Sequence, residues 1–512
     1  MAVQPSSVAP ESLNEGHISD RFINGAVWML VSKLSERGLG LISTLILARL
    51  LIPADFGLVA MAAPVVALVE LLGAFGIDSA LIQKRNLTRN HLDTAFTLNL
   101  IAAAAITVSL WLVAPLAARY FREPRLEAVI NWLALGNLIQ GFGNPGIILF
   151  RKEINMAPEV LILIGKKITS LITAATAALL LGNYWALVWG MLLSRFVGVG
   201  LSYMLTPFRP RFSLAERNEI LGFSSWMLII QILYYLQLRA NDLIIGRLLG
   251  PALLAFYSVA MDLAATAPGE AMVAISRAAF PTLSKLNGDA QRLRRGLRQI
   301  LSGVGLFAIP AAFGIAATSH LLVIVLLGPR WMPVAELLGP LAISCAVLGI
   351  MSQISYVYMA QGLPRTSALV SVLGVIALIG SSIILIPAHG LSGIKIAYPL
   401  MAATISVGHV VSLRRTLPEF LLADWIAAFW RPIGAASAMF VSVKAAAEWI
   451  TPVHSSVAGM APLVGLVAMG VLSYGLSLTF LWHIAGSPDG PEALAFGKIK
   501  ATASRLTSLL EK

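Results

Sequence analysis

Lys33, Glu36, Arg37, Glu70, Asp78, Lys166, Arg195, Arg239, Asp242, Asp262, Glu270 and Arg277 are ionisable side chains set inside long apolar stretches. In lipid each would cost about 2.5–3.5 kcal/mol at a helix centre, so such residues face a partner or a polar passage. Guanidinium and ammonium groups there can hold anionic substrate groups, and carboxylates can neutralise those cations or relay protons. Lys33, Glu36 and Arg37 are spaced to share one helix face. Asp262, Glu270 and Arg277 lie eight and seven residues apart. On a helix that puts all three within an arc of about 80°, a polar stripe along a route. Arg239 and Asp242, beside Tyr234, Tyr235 and Gln237, also have the spacing of an (i, i+3) ion pair. Lys33, Asp78 and Arg277, near helix ends, also suit snorkelling to the interface. Lys444 and Glu448, one turn apart, are expected to pair.

Catalytic alternatives fail on spacing. The seven histidines show no metal-ligand pattern and no phosphate-binding G-x-x-x-x-G-K-[ST] run occurs, so neither a metal nor a nucleotide cofactor is expected. Gly141, Gly143 and Gly146 spell G-x-G-x-x-G, but with Pro145 they are expected inside an apolar helix, not in a strand–turn–helix unit. The only cysteine, Cys345, excludes disulfides within one chain.

The elements that must position these charges are membrane helices. Hydrophobic residues make up 58% and charged residues 12% of the 512, too few charges to cover a water-facing surface. The net charge of +12 does not mark nucleic-acid binding, because the cations cluster in short gaps between apolar segments. Met1 to Asp20 lacks a signal-peptide core, so the first helix is expected to stay as an uncleaved span.

Fourteen windows have the length and apolarity of transmembrane helices. They centre on 25–50, 55–82, 93–118, 126–149, 157–181, 183–206, 219–248, 252–283, 296–328, 334–360, 366–387, 391–412, 428–450 and 458–483. Cations favour alternate gaps, which places both termini in the cytoplasm. The division read from this is a cytoplasmic segment 1–21, an N-lobe of six helices 22–206, a linker 207–217, a C-lobe of six helices 218–413, a helix pair 414–483 and a cytoplasmic tail 484–512 that is expected to be frayed and solvated. No internal gap has room for a soluble catalytic domain, so the chain reads as a non-enzyme of all-α, polytopic class.

Leu45–Ala62, LILARLLIPADFGLVAMA, aligns without gaps with Leu243–Ala260, LIIGRLLGPALLAFYSVA, with eight of eighteen positions identical, including Arg49 with Arg247 and Pro53 with Pro251. Six intervening spans give both copies the same orientation, a parallel repeat of two lobes with a cleft between them.

These stretches carry a family resemblance. ILARLLIPADFGLVAMA with FGIDSALIQKRNLTRNHLDTAF, LRANDLIIGRLLGPALLAFYSVA with SRAAFPTLSKL, and LLGPRWMPVAELL resemble the polysaccharide transport (Wzx-type) family of oligosaccharide flippases. That family belongs to the multidrug, oligosaccharidyl-lipid and polysaccharide exporter superfamily. The resemblance covers about residues 20 to 415. It implies two helical bundles around a central cavity and a polyprenyl-diphosphate-linked oligosaccharide as substrate. The function expected is flipping of that lipid across the bacterial inner membrane by alternating access, for exopolysaccharide or lipopolysaccharide synthesis. Membrane lipids, a polysaccharide polymerase and export machinery are the implied partners. Lys33, Arg37, Arg195, Arg239 and Arg277 would meet diphosphate or acidic sugars. Glu36, Glu70, Asp78, Asp262 and Glu270 would balance them or carry coupling protons, with sodium as the other coupling ion. The alternative is a drug or small-solute exporter of the same superfamily. A membrane-embedded glycosyltransferase or polymerase would need an extracytoplasmic loop that the sequence lacks.

Overall fold

The computed structural model describes residues 15–72, 77, 81, 82, 84, 87–153, 155–217, 225–449, 456–488 and 490–493. Among them are sixteen α-helices, one short 3-10 turn and no strand. The helices are α1 (Glu15–Leu50), α2 (Pro53–Leu72), α3 (Arg89–Phe121), α4 (Arg125–Gly141), α5 (Ile147–Lys152), α6 (Ala157–Leu181), α7 (Trp185–Leu205) and α8 (Ser225–Leu249). They continue with α9 (Pro251–Lys285), α10 (Ala290–Leu326), α11 (Met332–Ser352), α12 (Ile354–Ala360), α13 (Pro364–His389), α14 (Leu391–Thr416), α15 (Leu422–Trp449) and α16 (Ser456–Ile484).

Every predicted window holds a helix, and among the described residues ten helices are long and apolar enough to cross a membrane. The other four windows hold α1, α4, α8 and α9. Of these, α4 has only 17 residues, and α1, α8 and α9 carry Lys33, Arg239 and Asp262. The two repeated segments end one helix and start the next in the same way: Arg49 and Arg247 lie in last turns, and Pro53 and Pro251 open the following helices. Proline suits that first position because its missing N–H would have no helical acceptor.

The window 126–149 is not one helix: α4 ends at Gly141, and a turn through Asn144 and Pro145 leads into α5. Asn144 holds the turn. Its backbone N–H donates to Ser202 Oγ at 3.0 Å, its side-chain amide donates to the Phe208 carbonyl at 2.8 Å, and its Oδ1 accepts from Gly146 N–H at 2.9 Å. The glycine triad therefore lies at a helix end and turn.

The chain divides into two compact units. The first comprises 1–51 and 62–228. In it α6 packs along α7, α3 along α4, α1 against α6, and α4 against α7. Residues 206–217 run without regular helix except at their last residue and are bound to the start of α3. There Asp93 accepts the Arg211 N–H at 2.7 Å, Thr97 Oγ1 the Ser213 N–H at 2.9 Å and Thr94 Oγ1 the Glu216 N–H at 3.3 Å. These three polar side chains are buried because they serve backbone donors that have no helical acceptor. His91, also buried, contacts Lys84 and lies 4.0 Å from Glu216. In the turn before α4, Arg125 donates twice to Glu123, at 2.8 and 2.9 Å, which holds that carboxyl below its usual range.

The second unit comprises 52–61 and 229–512. Here α10 packs against α11, α15 and α16, while α13 packs along α14 and α9 against α11. Trp331 is fully buried, with the rings of Phe56 and Phe256 meeting its face or edge at 5.3 and 5.8 Å. The additional pair α15–α16 is built into this unit. Asp424, at the start of α15, receives Arg294 at 2.8 Å and Arg298 at 3.7 Å. Beyond α16 the chain turns back, and Glu492, 1% exposed, pairs with Arg431 at 3.1 Å. At least this much of the tail is folded, not frayed. Lys444 and Glu448 do not pair; Lys444 lies over the Phe440 ring at 5.8 Å.

Asp93→Ala is expected to strip the Arg211 N–H of its acceptor and to cost about 1–3 kcal/mol. A lowered thermal unfolding midpoint of the purified protein checks this; an unchanged midpoint would show that the 206–217 segment is held by other contacts.

Candidate functional site

The first unit contains an open cavity of about 570 Å³. Its polar wall is made by Glu70 of α2, Asn99 of α3, Asn137 and Gln140 of α4, Asn144 of the following turn, Arg151 of α5 and Arg195 of α7. The rest is apolar, from residues such as Ile106, Ile147 and Ile148. Two of the sequence-predicted residues meet here. Arg195 Nη2 lies 3.3 Å from Glu70 Oε1, and Arg195 Nη1 donates to the Leu133 carbonyl at 3.4 Å. Gly136 leaves room here: a Cβ would come 3.1 Å from Arg195 Cδ and 2.9 Å from Leu192 Cδ2, so those side chains would have to shift. Arg151 is engaged by Glu159 of α6 at 2.8 and 2.5 Å.

Lys166 of α6 does not line this cavity. Its stem lies against Gly198 of α7, where an added Cβ would come 2.7 Å from Lys166 Cδ, and Arg195 and Lys167 are within electrostatic reach. On α1, Lys33 pairs with Glu36 at 3.7 Å with both side chains about half exposed, and Arg37 is partly buried.

The second unit gathers another set. Arg239 Nη1 meets Asp242 Oδ2 at 3.0 Å, so the (i, i+3) spacing does form an ion pair. Asp262 of α9 is close enough to act electrostatically on both. Beside them Asn241, 1% exposed, donates to Tyr257 Oη at 3.4 Å and accepts from Ser382 Oγ of α13 at 2.9 Å. Asp78 and the side chains of Tyr234, Gln237, Glu270 and Arg277 lie outside the described residues, so the stripe proposed for α9 is described only at Asp262.

Uncharged amides also line the cavity. Asn99, Asn137 and Gln140 sit in apolar windows as the charged residues do, and neutral polar residues within a span are the signal that marks them. Among the described residues no cluster of His, Cys, Asp or Glu could hold a metal ion.

Apolar helical units of membrane-spanning length that enclose charge-paired, amide-lined space define a multi-pass membrane transporter. The family model described as "Polysaccharide biosynthesis protein" matches residues 46–336, and the chain belongs to that family. It is 28% identical over 333 residues to the lipopolysaccharide biosynthesis protein WzxC of Escherichia coli (strain K12), spanning 63% of this chain and 67% of the relative. It is 26% identical over 323 residues to the succinoglycan biosynthesis transport protein ExoT of Rhizobium meliloti (strain 1021), 63% of this chain and 65% of the relative. In fold it is similar to the lipid II flippase MurJ in an inward closed conformation, with a TM-score of 0.73 and 13% identity over 90% of this chain and 99% of that one.

Glu70→Gln and Arg195→Gln should each impair transport, and the double variant should be less impaired than their sum, since each single change leaves a partner unmatched. A double-mutant cycle on transport rate is expected to give a coupling of about 1 kcal/mol, modest because both side chains keep some exposure. Additive effects would show that the pair does not act as a unit.

Proposed function

We infer that the protein flips a polyprenyl-diphosphate-linked oligosaccharide across the bacterial inner membrane, for assembly of a cell-surface or exported polysaccharide. The observation that carries this is the polar cavity inside an otherwise apolar helical unit. A sugar head group stripped of water loses several kcal/mol for each polar group left without a new partner, whereas a polyprenyl tail loses nothing in lipid. A protein that carries the head past the hydrocarbon must therefore offer donors and acceptors along the way, and the tail can stay outside. The family and the named roles of its relatives support the same reading.

The charges fit this role through their pairing. Lys33, Arg195 and Arg239 are each held by a carboxylate. At Lys33 and Arg239 a diphosphate can replace that carboxylate as the acceptor and later yield it back, so the site binds without trapping its cargo, while the Arg195–Glu70 pair keeps the cavity wall neutral. Arg37 and Arg277 are the further cations proposed for the substrate. Glu36, Glu70, Asp78, Asp262 and Glu270 are the proposed balancing or proton-relaying groups, and protons or sodium ions the proposed coupling species. Alternating access by two lobes, 22–206 and 218–413, joined by 207–217, is the proposed motion, with both termini cytoplasmic. A polymerase and export machinery would consume the product.

The test is reconstitution of the purified protein into liposomes with a labelled polyprenyl diphosphate oligosaccharide. Protein-dependent appearance of the label in the opposite leaflet is expected, reduced at least tenfold by Glu70→Gln. Absence of movement with several sugar lipids under proton, sodium and voltage gradients would overturn the reading.

A further inference from the structure

Asn137 is a buried amide of α4. It is 8% exposed, it lines the cavity of the first unit, and its Nδ2 has no hydrogen-bond partner among the described residues. A buried amide nitrogen left unmatched costs about 1–3 kcal/mol, and this one, closed off as it stands, gains a partner only when the side chain turns toward the cavity that the residue lines.

The charged groups in the wall are already engaged within the protein. Arg195 is held by Glu70 and the Leu133 carbonyl, and Arg151 by both carboxylate oxygens of Glu159. The Asn144 side chain is occupied by the Phe208 carbonyl and the Gly146 N–H. What faces the cavity with spare capacity is a set of neutral amides, Asn99, Asn137 and Gln140. An amide presents a donor and an acceptor side by side, and a sugar hydroxyl both donates and accepts. A diphosphate only accepts and is best met by guanidinium forks, so the carbonyl half of each amide would oppose it. The size fits as well: about 570 Å³ lies within the usual range for small-molecule sites and far exceeds the space of a single water. The apolar wall at Ile106, Ile147 and Ile148 offers a surface for the C–H face of a pyranose ring.

We propose that the cavity of the first unit is a subsite for the uncharged sugar of the lipid-linked substrate, read by Asn99, Asn137 and Gln140, and that the diphosphate binds elsewhere. This rests on the flippase reading above and adds to it a division of labour: amides take hydroxyls, and charge pairs outside this cavity take phosphate.

The test is binding to the full-length protein in nanodiscs of three probes: polyprenyl diphosphate alone, the same lipid carrying a neutral glucose–galactose disaccharide, and the same lipid with the terminal sugar oxidised to a uronic acid. Because amides read hydroxyls and not one stereochemistry, the neutral disaccharide should bind at least tenfold tighter than the bare lipid. The uronic acid should gain less than threefold. Asn137→Leu should erase the neutral sugar's gain. If that variant does not fold, Asn99→Ala combined with Gln140→Ala provides the same reading. A gain that survives both changes, or that is equal for the acidic sugar, overturns the subsite. Wild-type protein that binds all three lipids equally also overturns it, while leaving the flippase reading intact. Failure to bind any of them, together with failure to flip, strikes that reading instead.

Discussion

A bilayer interior supplies no water to hydrogen-bond, so every polar group within it must find its partner in the protein or in a polar cavity the protein encloses. The pairing of Arg195 with Glu70 at 3.3 Å is where this constraint shapes the first unit most. An unmatched guanidinium at that depth would oppose insertion of α7, and an unmatched carboxylate would oppose α2. Gly136 keeps the space the arginine needs, and the Leu133 carbonyl takes part of its remaining capacity. With the charge balanced internally, the helices around the pair can surround polar space without a net charge to stabilise. The same solution recurs in the second unit with Arg239 and Asp242, and in more deeply buried form with Arg431 and Glu492.

Backbone groups obey the same rule wherever the helices stop. The break after α4 persists because Asn144 supplies three hydrogen bonds to the turn and its neighbours. The irregular segment 206–217 persists because Asp93, Thr94 and Thr97 accept its N–H groups. Asp93 and Thr94 belong to NHLDTAF, part of a stretch by which the sequence resembles its family, and Thr97 follows it directly. Part of that motif is thus explained as structure: it fastens the segment that follows the first six predicted helices.

Much of this was legible in the sequence because local chemistry determined it. Long apolar runs specified helices, and the spacing of Arg239 and Asp242 foretold their contact. What escaped depended on residues far apart in the chain. The window 126–149 reads as one apolar span interrupted at Pro145, and only Ser202 and Phe208, brought to Asn144, turn that interruption into a break between two helices. Glu492 reads as part of a solvated tail until the chain turns back to Arg431. Local spacing also misled once, at Lys444, which lies over an aromatic ring and not beside Glu448. The amides of the cavity were visible in the sequence but carried no charge to single them out; only their convergence on one space gives them meaning.

The central claim is that the substrate's head group enters the polar space of the first unit while the lipid tail stays outside. Photo-crosslinking tests it most directly, with a photoreactive amino acid at Gln140, in the cavity wall, or at Leu180, 79% exposed on α6. A lipid labelled in its sugar should be captured at position 140 and not at 180, and a lipid labelled in its tail should show the reverse. Equal capture of the sugar label at both positions, or none at 140 in protein that still transports, would contradict the account.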